Sequence, residues 1–274
     1  MADVNGNELL SFHAKSWSEW PGRLVKPPRR GSEIDFHFNI EVPGFRAWTP
    51  GQFVMLRWGQ HLTGRPFAIF EWKQAGPNSS QLHLLIRNAG EGTAEFIKNA
   101  QAQDLVWVRG PLGQVPFAAD LTEDLRPWIF LSEGARLAGV FAMIHLRRKL
   151  QLQQQLPTDF WWHTETRKEF MDAEIHSRAY VKPDAIGFSE TQILIPENLD
   201  LTKYSKVIAV GSEDFQNSWA KLANQYSNLD GNLWLRRDAP MACGIGLCFS
   251  CTVETAQGPQ RSCLEGPWFE GSLK

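Results

Sequence analysis

The sequence predicts a multi-domain β and α/β protein: an antiparallel β-barrel, then a parallel-sheet α/β domain, then a small C-terminal loop domain. Three observations carry this. A chain of 274 residues exceeds what one small hydrophobic core organises. Its N-terminal part reads as short strands broken by Pro, Gly and Asn, whereas from Arg126 strands alternate with helices. All four cysteines fall between Met241 and Pro267.

The elements follow in order. SEIDFHFNIEV, QFVMLRW, RPFAIFEW, QLHLLIRNA and DLVWVRG are the expected barrel strands. TAEFIKNAQ interrupts them as a helix, with Thr93 as its expected N-cap and Ala94, Phe96, Ile97 and Ala100 at helical spacing. After LTEDLRPW come PWIFLSE, LAGVFAMIHLRRKL, DFWWHTE, QILIP, KVIAVGS and SWAKLANQY, a pattern that asks for parallel strands joined by helical crossovers. The expected units are residues 1–122, 123–237 and 238–274. LQLQQQ is expected as a solvated helix end, KPPRR as a solvated loop, and the twelve tryptophans as packing residues.

Composition narrows function. A net charge of -2 supplies no basic field for nucleic acid or acidic lipid. No apolar run of membrane-spanning length and no signal-peptide pattern appear, so the expectation is a soluble cytoplasmic protein. No G-x-S-x-G or H-E-x-x-H motif is present, and the seven histidines are dispersed, so no catalytic acid-base residue is assigned.

The cysteines carry chemistry. Cys243, Cys248, Cys251 and Cys263 follow the C-x4-C-x2-C…C spacing of plant-type [2Fe-2S] ferredoxins, and Gly244 and Gly246 give the loop freedom to wrap an inorganic core. Structural zinc, disulfides and unligated thiols remain as alternatives. Zinc is disfavoured because only one C-x2-C knuckle exists, and disulfides because no secretory signal accompanies the cysteines. A one-electron cluster calls for a two-electron converter such as a flavin. In GRPFAIF, Arg65 can bind a pyrophosphate and Phe67 can lie beside an isoalloxazine ring. In LLIRNAGEGT, Gly90 and Gly92 let backbone approach a phosphate at a helix N-terminus.

PGQFVMLRW, GRPFAIF, LLIRNAGEGT and GPLG, with MACGIGLCFSC and RSCLEGPWF, resemble the electron-transfer subunit of class B dihydroorotate dehydrogenase, within the ferredoxin-reductase superfamily. The resemblance implies an oxidoreductase component of pyrimidine biosynthesis that docks on an FMN-containing catalytic subunit, in a heterotetramer. It implies that electrons pass from FMN through [2Fe-2S] and FAD to NAD or another acceptor. It implies FAD contacts at Arg65, Pro66, Phe67, Ala68, Leu85, Ile86, Arg87, Gly92 and Thr93, and cluster ligation by Cys243, Cys248, Cys251 and Cys263. Three places depart from the family pattern. Ala68 stands where a hydroxyl is usual. LSEGARLAGVF, with Ser132, Glu133 and Ala135, replaces a glycine-rich run, and Val210, Gly211 and Ser212 replace Cys-Gly-Pro. The last two predict weakened nicotinamide binding. Two other functions therefore stand beside the first: an FAD and [2Fe-2S] reductase subunit with a non-NAD acceptor, and a non-catalytic accessory subunit.

Overall fold

The computed structural model describes residues 19–31, 35–45, 48–154, 158–164, 186–188 and 199–271. The first sheet is built from β1 (Glu19–Leu24), β2 (Arg29–Arg30), β3 (Asp35–Pro43), β4 (Phe53–Trp58), β5 (Arg65–Gly76), β6 (Ser79–Arg87) and β7 (Leu105–Leu112). Its order is β1-β7-β4-β5-β6-β3-β2, and β1 also pairs with β3, so six antiparallel strands close into a barrel with β2 outside. Alternation does the work: Phe38, Ile40 and Val42 of β3 and Leu82, Leu84 and Ile86 of β6 are buried in the interior.

Two elements differ from expectation. β1 is absent from the sequence reading because Pro21 and Gly22 look like punctuation. Pro21 pairs only with β7, opposite Trp107, so its missing N–H faces no second strand. Gly22 is required by close approach, since a Cβ there would meet Ile40 Cγ2 at 2.8 Å. KPPRR is largely exposed as expected, but Arg29 and Arg30 pair with His37 and Phe36 as β2.

Beyond a single turn at Asp120–Glu123 lies the second sheet. It comprises β8 (Trp128–Glu133), β9 (Thr158–Thr164), β10 (Ile186–Phe188), β11 (Lys206–Val210) and β12 (Leu233–Arg236), all parallel in the order β10-β9-β8-β11-β12. β8 and β11 are buried at every residue, the pattern of strands covered on both faces. Helices α2 (Ala138–Gln154) and α3 (Glu213–Ala223) supply crossovers. The QILIP segment lies outside the described residues, as do the side chains of LQLQQQ.

The C-terminal part folds back on both sheets. After the hairpin β13 (Thr252–Thr255) and β14 (Gly258–Arg261), β15 (Trp268–Glu270) joins β12 antiparallel at the edge of the second sheet. Trp268 Nε1 donates to the Gly51 carbonyl of the barrel at 2.9 Å, and Phe70 of β5 stacks on Phe141 of α2 with centroids 3.9 Å apart. Trp128, Trp219 and Trp268 are fully buried. Among the described residues, no helix is long and apolar enough to cross a membrane.

Asp124 fastens the junction between the sheets. Burial alone would raise its pKa, but hydrogen bonds from Arg126, Trp128 (3.0 Å) and Ser205 (2.9 Å) hold it well below the ordinary 3.8. A carboxyl depressed in the folded state contributes stability above its unfolded pKa and loses it as pH falls below that value. Asp124→Asn is therefore expected to cost about 2 kcal/mol near neutral pH, with the deficit shrinking below about pH 4. Urea melts at both pH values check this; an equal deficit in acid would overturn it.

Candidate functional site

Three of the four cysteines lie on the loop between β12 and β13, and Cys263 follows β14. The loop winds tightly because Gly244 and Gly246 take φ values of +68° and +77°, a left-handed conformation that side chains rarely adopt. A Cβ at Gly244 would press on Met55 of β4, so the same glycine lets the loop sit against the barrel. Arg109 of β7 fixes that contact, donating from Nη1 to the Cys243 carbonyl at 2.5 Å while its Nη2 donates to Glu19 at 2.9 Å.

The sulfurs come as two pairs. Cys251 and Cys263 are buried, with Sγ atoms 3.2 Å apart. Cys248 is exposed, and hydrogen bonds from Ser250 and then Cys243 bring its pKa down to about 6. Burial, followed by the Cys251 thiol, pushes Cys263 up to about 12, a cost that a cationic metal core would relieve. Backbone N–H groups already point at sulfur: Ile245 N donates to Cys243 Sγ at 3.4 Å and Gly246 N to Cys263 Sγ at 3.2 Å. Among the described residues, no three His, Cys, Asp or Glu side chains are grouped to hold a metal ion together. The two-and-two arrangement suits two irons, each taking a pair of thiolates, and the N–H donors suit the sulfurs of a [2Fe-2S] core. These residues fit the cluster.

Arg261 and Arg109 are contributions that spacing alone does not reveal. The Arg261 guanidinium is held by Glu265, which raises its pKa, and donates to the Gly246 carbonyl at 2.9 Å. It also interacts electrostatically with Cys263 and Cys251, so it places positive charge beside the buried sulfur pair. Its position two residues before Cys263 is the only sequence signal.

The predicted flavin residues gather on β5, the end of β6 and α1 (Glu91–Asn99). The cap of α1 is Gly90, so Thr93 lies in its first turn rather than at the N-cap. Its buried hydroxyl donates to the Gly90 carbonyl at 2.9 Å and accepts from Ala89 N at 3.2 Å, which shapes the loop. The exposed Arg65 extends over that turn: a side chain at Gly92 would collide with its guanidinium, which also lies 5.8 Å from the Trp58 ring. An arginine over the N-terminal turn of a nine-residue helix is a cradle for a pyrophosphate. The residues fit a flavin dinucleotide.

Alternation divides the rest. Phe67 pairs with the interior residue Val54 and is half-buried against the barrel core, with Trp58 6.3 Å away. Pro66 and Ala68 pair with Met55 and Phe53, hence share their outer face. Leu85 packs between barrel and second domain and Ile86 lies inside the barrel, so their side chains are committed to packing. Arg87 Nε is 3.2 Å from the buried Asp35.

One geometric relation joins the two groups. Cys251 and Cys263 pack in one apolar cluster with Phe53, Met55 and Leu112. Phe53 and Met55 lie directly across from Ala68 and Pro66. Paired strands are about 4.8 Å apart. The sulfur loop and the proposed flavin strand are thus neighbours on one face of the barrel.

Comparison with known proteins places the chain among iron-sulfur and flavin oxidoreductases by similarity. Residues 238–273 match the family model of the iron-sulfur cluster binding domain of dihydroorotate dehydrogenase B. The chain is 26% identical to the electron transfer subunit of dihydroorotate dehydrogenase B (NAD(+)) from Clostridium acetobutylicum, over 86% of this chain and 89% of that protein. The Streptococcus pneumoniae R6 subunit of the same name is 26% identical, over 85% and 90%. Among solved structures, an NADH-dependent reduced ferredoxin-NADP oxidoreductase superposes with a TM-score of 0.68 at 17% identity, covering 91% of this chain and 88% of that one. The FAD/NAD binding domain of a Vibrio cholerae nitric oxide dioxygenase gives 0.62 at 13% identity, covering 80% and 98%. Residues 238–273 thus match the iron-sulfur cluster binding domain of dihydroorotate dehydrogenase B, and the chain that carries them resembles the electron-transfer subunits of that enzyme on a ferredoxin-reductase fold.

Proposed function

We propose that this chain is the electron-transfer subunit of a class B dihydroorotate dehydrogenase, working in the cytoplasm in pyrimidine biosynthesis. FAD is held by Arg65, Pro66, Phe67, Ala68, the 85–87 strand end, Gly92 and Thr93, and [2Fe-2S] by Cys243, Cys248, Cys251 and Cys263. The working units are 1–122, 123–237 and 238–274. The single observation that carries the proposal is the shared face: the buried sulfur pair packs on Phe53 and Met55, directly across from Ala68 and Pro66. When bound, the cluster carries single electrons and FAD pairs of them, so the subunit connects a catalytic partner to a terminal acceptor, which the relatives' names give as NAD(+).

Each residue's task follows from its place. Arg65 and the first turn of α1 neutralise the pyrophosphate. Arg109 and Gly244 hold the sulfur loop against β4. Arg261 offsets negative charge at the buried pair. Leu247 and Phe249 are 62% and 64% exposed on either side of Cys248, and they present an apolar surface around the one exposed sulfur. That surface suits docking of an FMN-containing catalytic subunit, in a heterotetramer, with the cluster nearest the partner.

The test is the assembled complex. Co-purified with its FMN partner, the subunit is expected to carry FAD, iron and labile sulfide, and dihydroorotate should bleach the flavin absorbance under anaerobic conditions. Protein that stays cofactor-free after reconstitution, or a complex whose spectrum dihydroorotate leaves unchanged, would refute the proposal. Arg65→Ala is expected to weaken FAD retention by roughly 10- to 100-fold through loss of charge-assisted bonds, with cluster content unchanged. FAD release measured by ultrafiltration checks it; unchanged retention would remove Arg65 from the site.

A further inference from the structure

A doubly wound sheet takes a dinucleotide in the crevice outside the carboxyl ends of its strands, where strand order reverses. Here the order β10-β9-β8-β11-β12 puts that reversal between β8 and β11. β8 ends at Glu133, and β11 leads through Gly211 to Ser212, the N-cap of α3. A bound nucleotide would have to lie across these two strand ends.

The chain bridges them itself. Glu133 Oε2 accepts from Ser212 N at 2.6 Å and from Arg136 Nη1 at 3.1 Å, while Oε1 accepts from the Ser212 hydroxyl at 3.1 Å. Ser212 Oγ also accepts from Phe215 N at 3.3 Å, so the carboxylate is tied into the first turn of an eleven-residue helix. Glu133 is 4% exposed. It thus holds the place an external anion takes at a helix N-terminus, with its negative charge favoured by the helix dipole.

We propose that Glu133 is a resident anion that closes the dinucleotide crevice, so that this chain does not exchange hydride with NADH or NADPH. Three features reinforce one another. The side chain fills the space between the strand ends, so entry must break charge-assisted bonds. Its carboxylate repels a pyrophosphate in a desolvated setting. Arg136, the cation of the same loop, is committed to Glu133. The terminal acceptor of the electron-transfer chain proposed above is then something other than a nicotinamide dinucleotide. That consequence rests on the flavoprotein reading; closure of the crevice does not.

The test uses the full-length protein with its FAD and iron content measured first. Calorimetric titration with ADP-ribose, NAD+ and NADH reads the crevice directly, and anaerobic mixing with NADH or NADPH reads the flavin. Wild-type protein is expected to bind none of these below about 1 mM, and its flavin absorbance to persist. Glu133→Gln preserves most of the size and removes the charge, and it should tighten ADP-ribose binding at least about tenfold. Glu133→Gly should tighten it at least about 100-fold, since the three hydrogen bonds and the side chain that fills the crevice are all gone. Micromolar binding of NADH by the wild type, or rapid bleaching by either dinucleotide, would overturn the proposal. So would variants of normal circular dichroism and flavin content that bind no better than wild type. Absence of FAD would refute the flavoprotein reading instead, and the ADP-ribose titration would still decide the crevice.

Discussion

Cys263→Ser is expected to strip iron and labile sulfide from the subunit while FAD remains bound. The two sites are adjacent yet separately built: the flavin cradle rests on Arg65 and α1, whereas Cys263 packs with Phe53, Met55, Leu112 and Cys251. Cys263 is buried, 3.2 Å from Cys251, and accepts from Gly246 N. A serine there offers a harder, less readily deprotonated ligand in the same desolvated position. Losing a direct ligand should exceed the roughly 10- to 100-fold in affinity that loss of an outer partner costs. In the complex, dihydroorotate-dependent reduction of an external acceptor should therefore fall at least about 100-fold, with partner binding retained. Iron and sulfide analysis, the paramagnetic signal after dithionite, and turnover together check it. Turnover that survives loss of the cluster would instead make the chain an accessory subunit, whatever cofactors it binds.

The second large effect concerns stability. Arg147 of α2 is fully buried, with its guanidinium 4.1 Å from the Trp128 ring centroid. It donates to the carbonyls of Asp120, Leu121, Asp124 and Arg126 at 3.0 to 3.4 Å and to Thr158 Oγ1 at 3.3 Å. One side chain thus satisfies the backbone of the segment that joins the barrel to the second sheet. Burial lowers its pKa to about 10, while Asp124 and Asp120 support the charge. Arg147→Ala removes the donors, leaves the buried Leu121 carbonyl and three part-buried carbonyls without their partner, and empties a fully buried site, which should cost roughly 3–5 kcal/mol. For a chain of this size that corresponds to a melting temperature lower by about 10 °C. Arg147→Lys should recover part of the loss, because an ammonium reaches fewer of the four carbonyls. A melting temperature within about 2 °C of wild type for the alanine variant would show that the connector is held by other contacts.

The glutamate closing the crevice shows how local replacement and tertiary geometry combine. In sequence, Glu133 and Ser212 are two separate departures from a nucleotide-binding pattern. In the fold they are bonded to each other, because β8 and β11 are neighbours and both end at the same edge. The flavin residues show the converse. Arg65 and Gly92 are predicted singly as weak phosphate signals, and the barrel brings them into contact.

The order of the architecture, the positions of most strands and the grouping of the four thiols are legible in the amino-acid sequence. These depend on properties with short range: alternation of apolar residues, helical spacing, and cysteines close enough along the chain to wrap one core. β1 escaped because Pro21 and Gly22 are breakers unless the neighbouring strands are known. The start of α1 shifted because Gly90, rather than Thr93, has the extended conformation a cap needs. Folding alone sets the sulfur loop across Phe53 and Met55 from Pro66 and Ala68, brings Arg109 and Arg261 to its support, and joins Glu133 to Ser212. Each of these contacts joins residues separated by long stretches of chain or by the turn of a loop. Strand pairing and the packing of side chains bring them together, and no periodicity records that outcome.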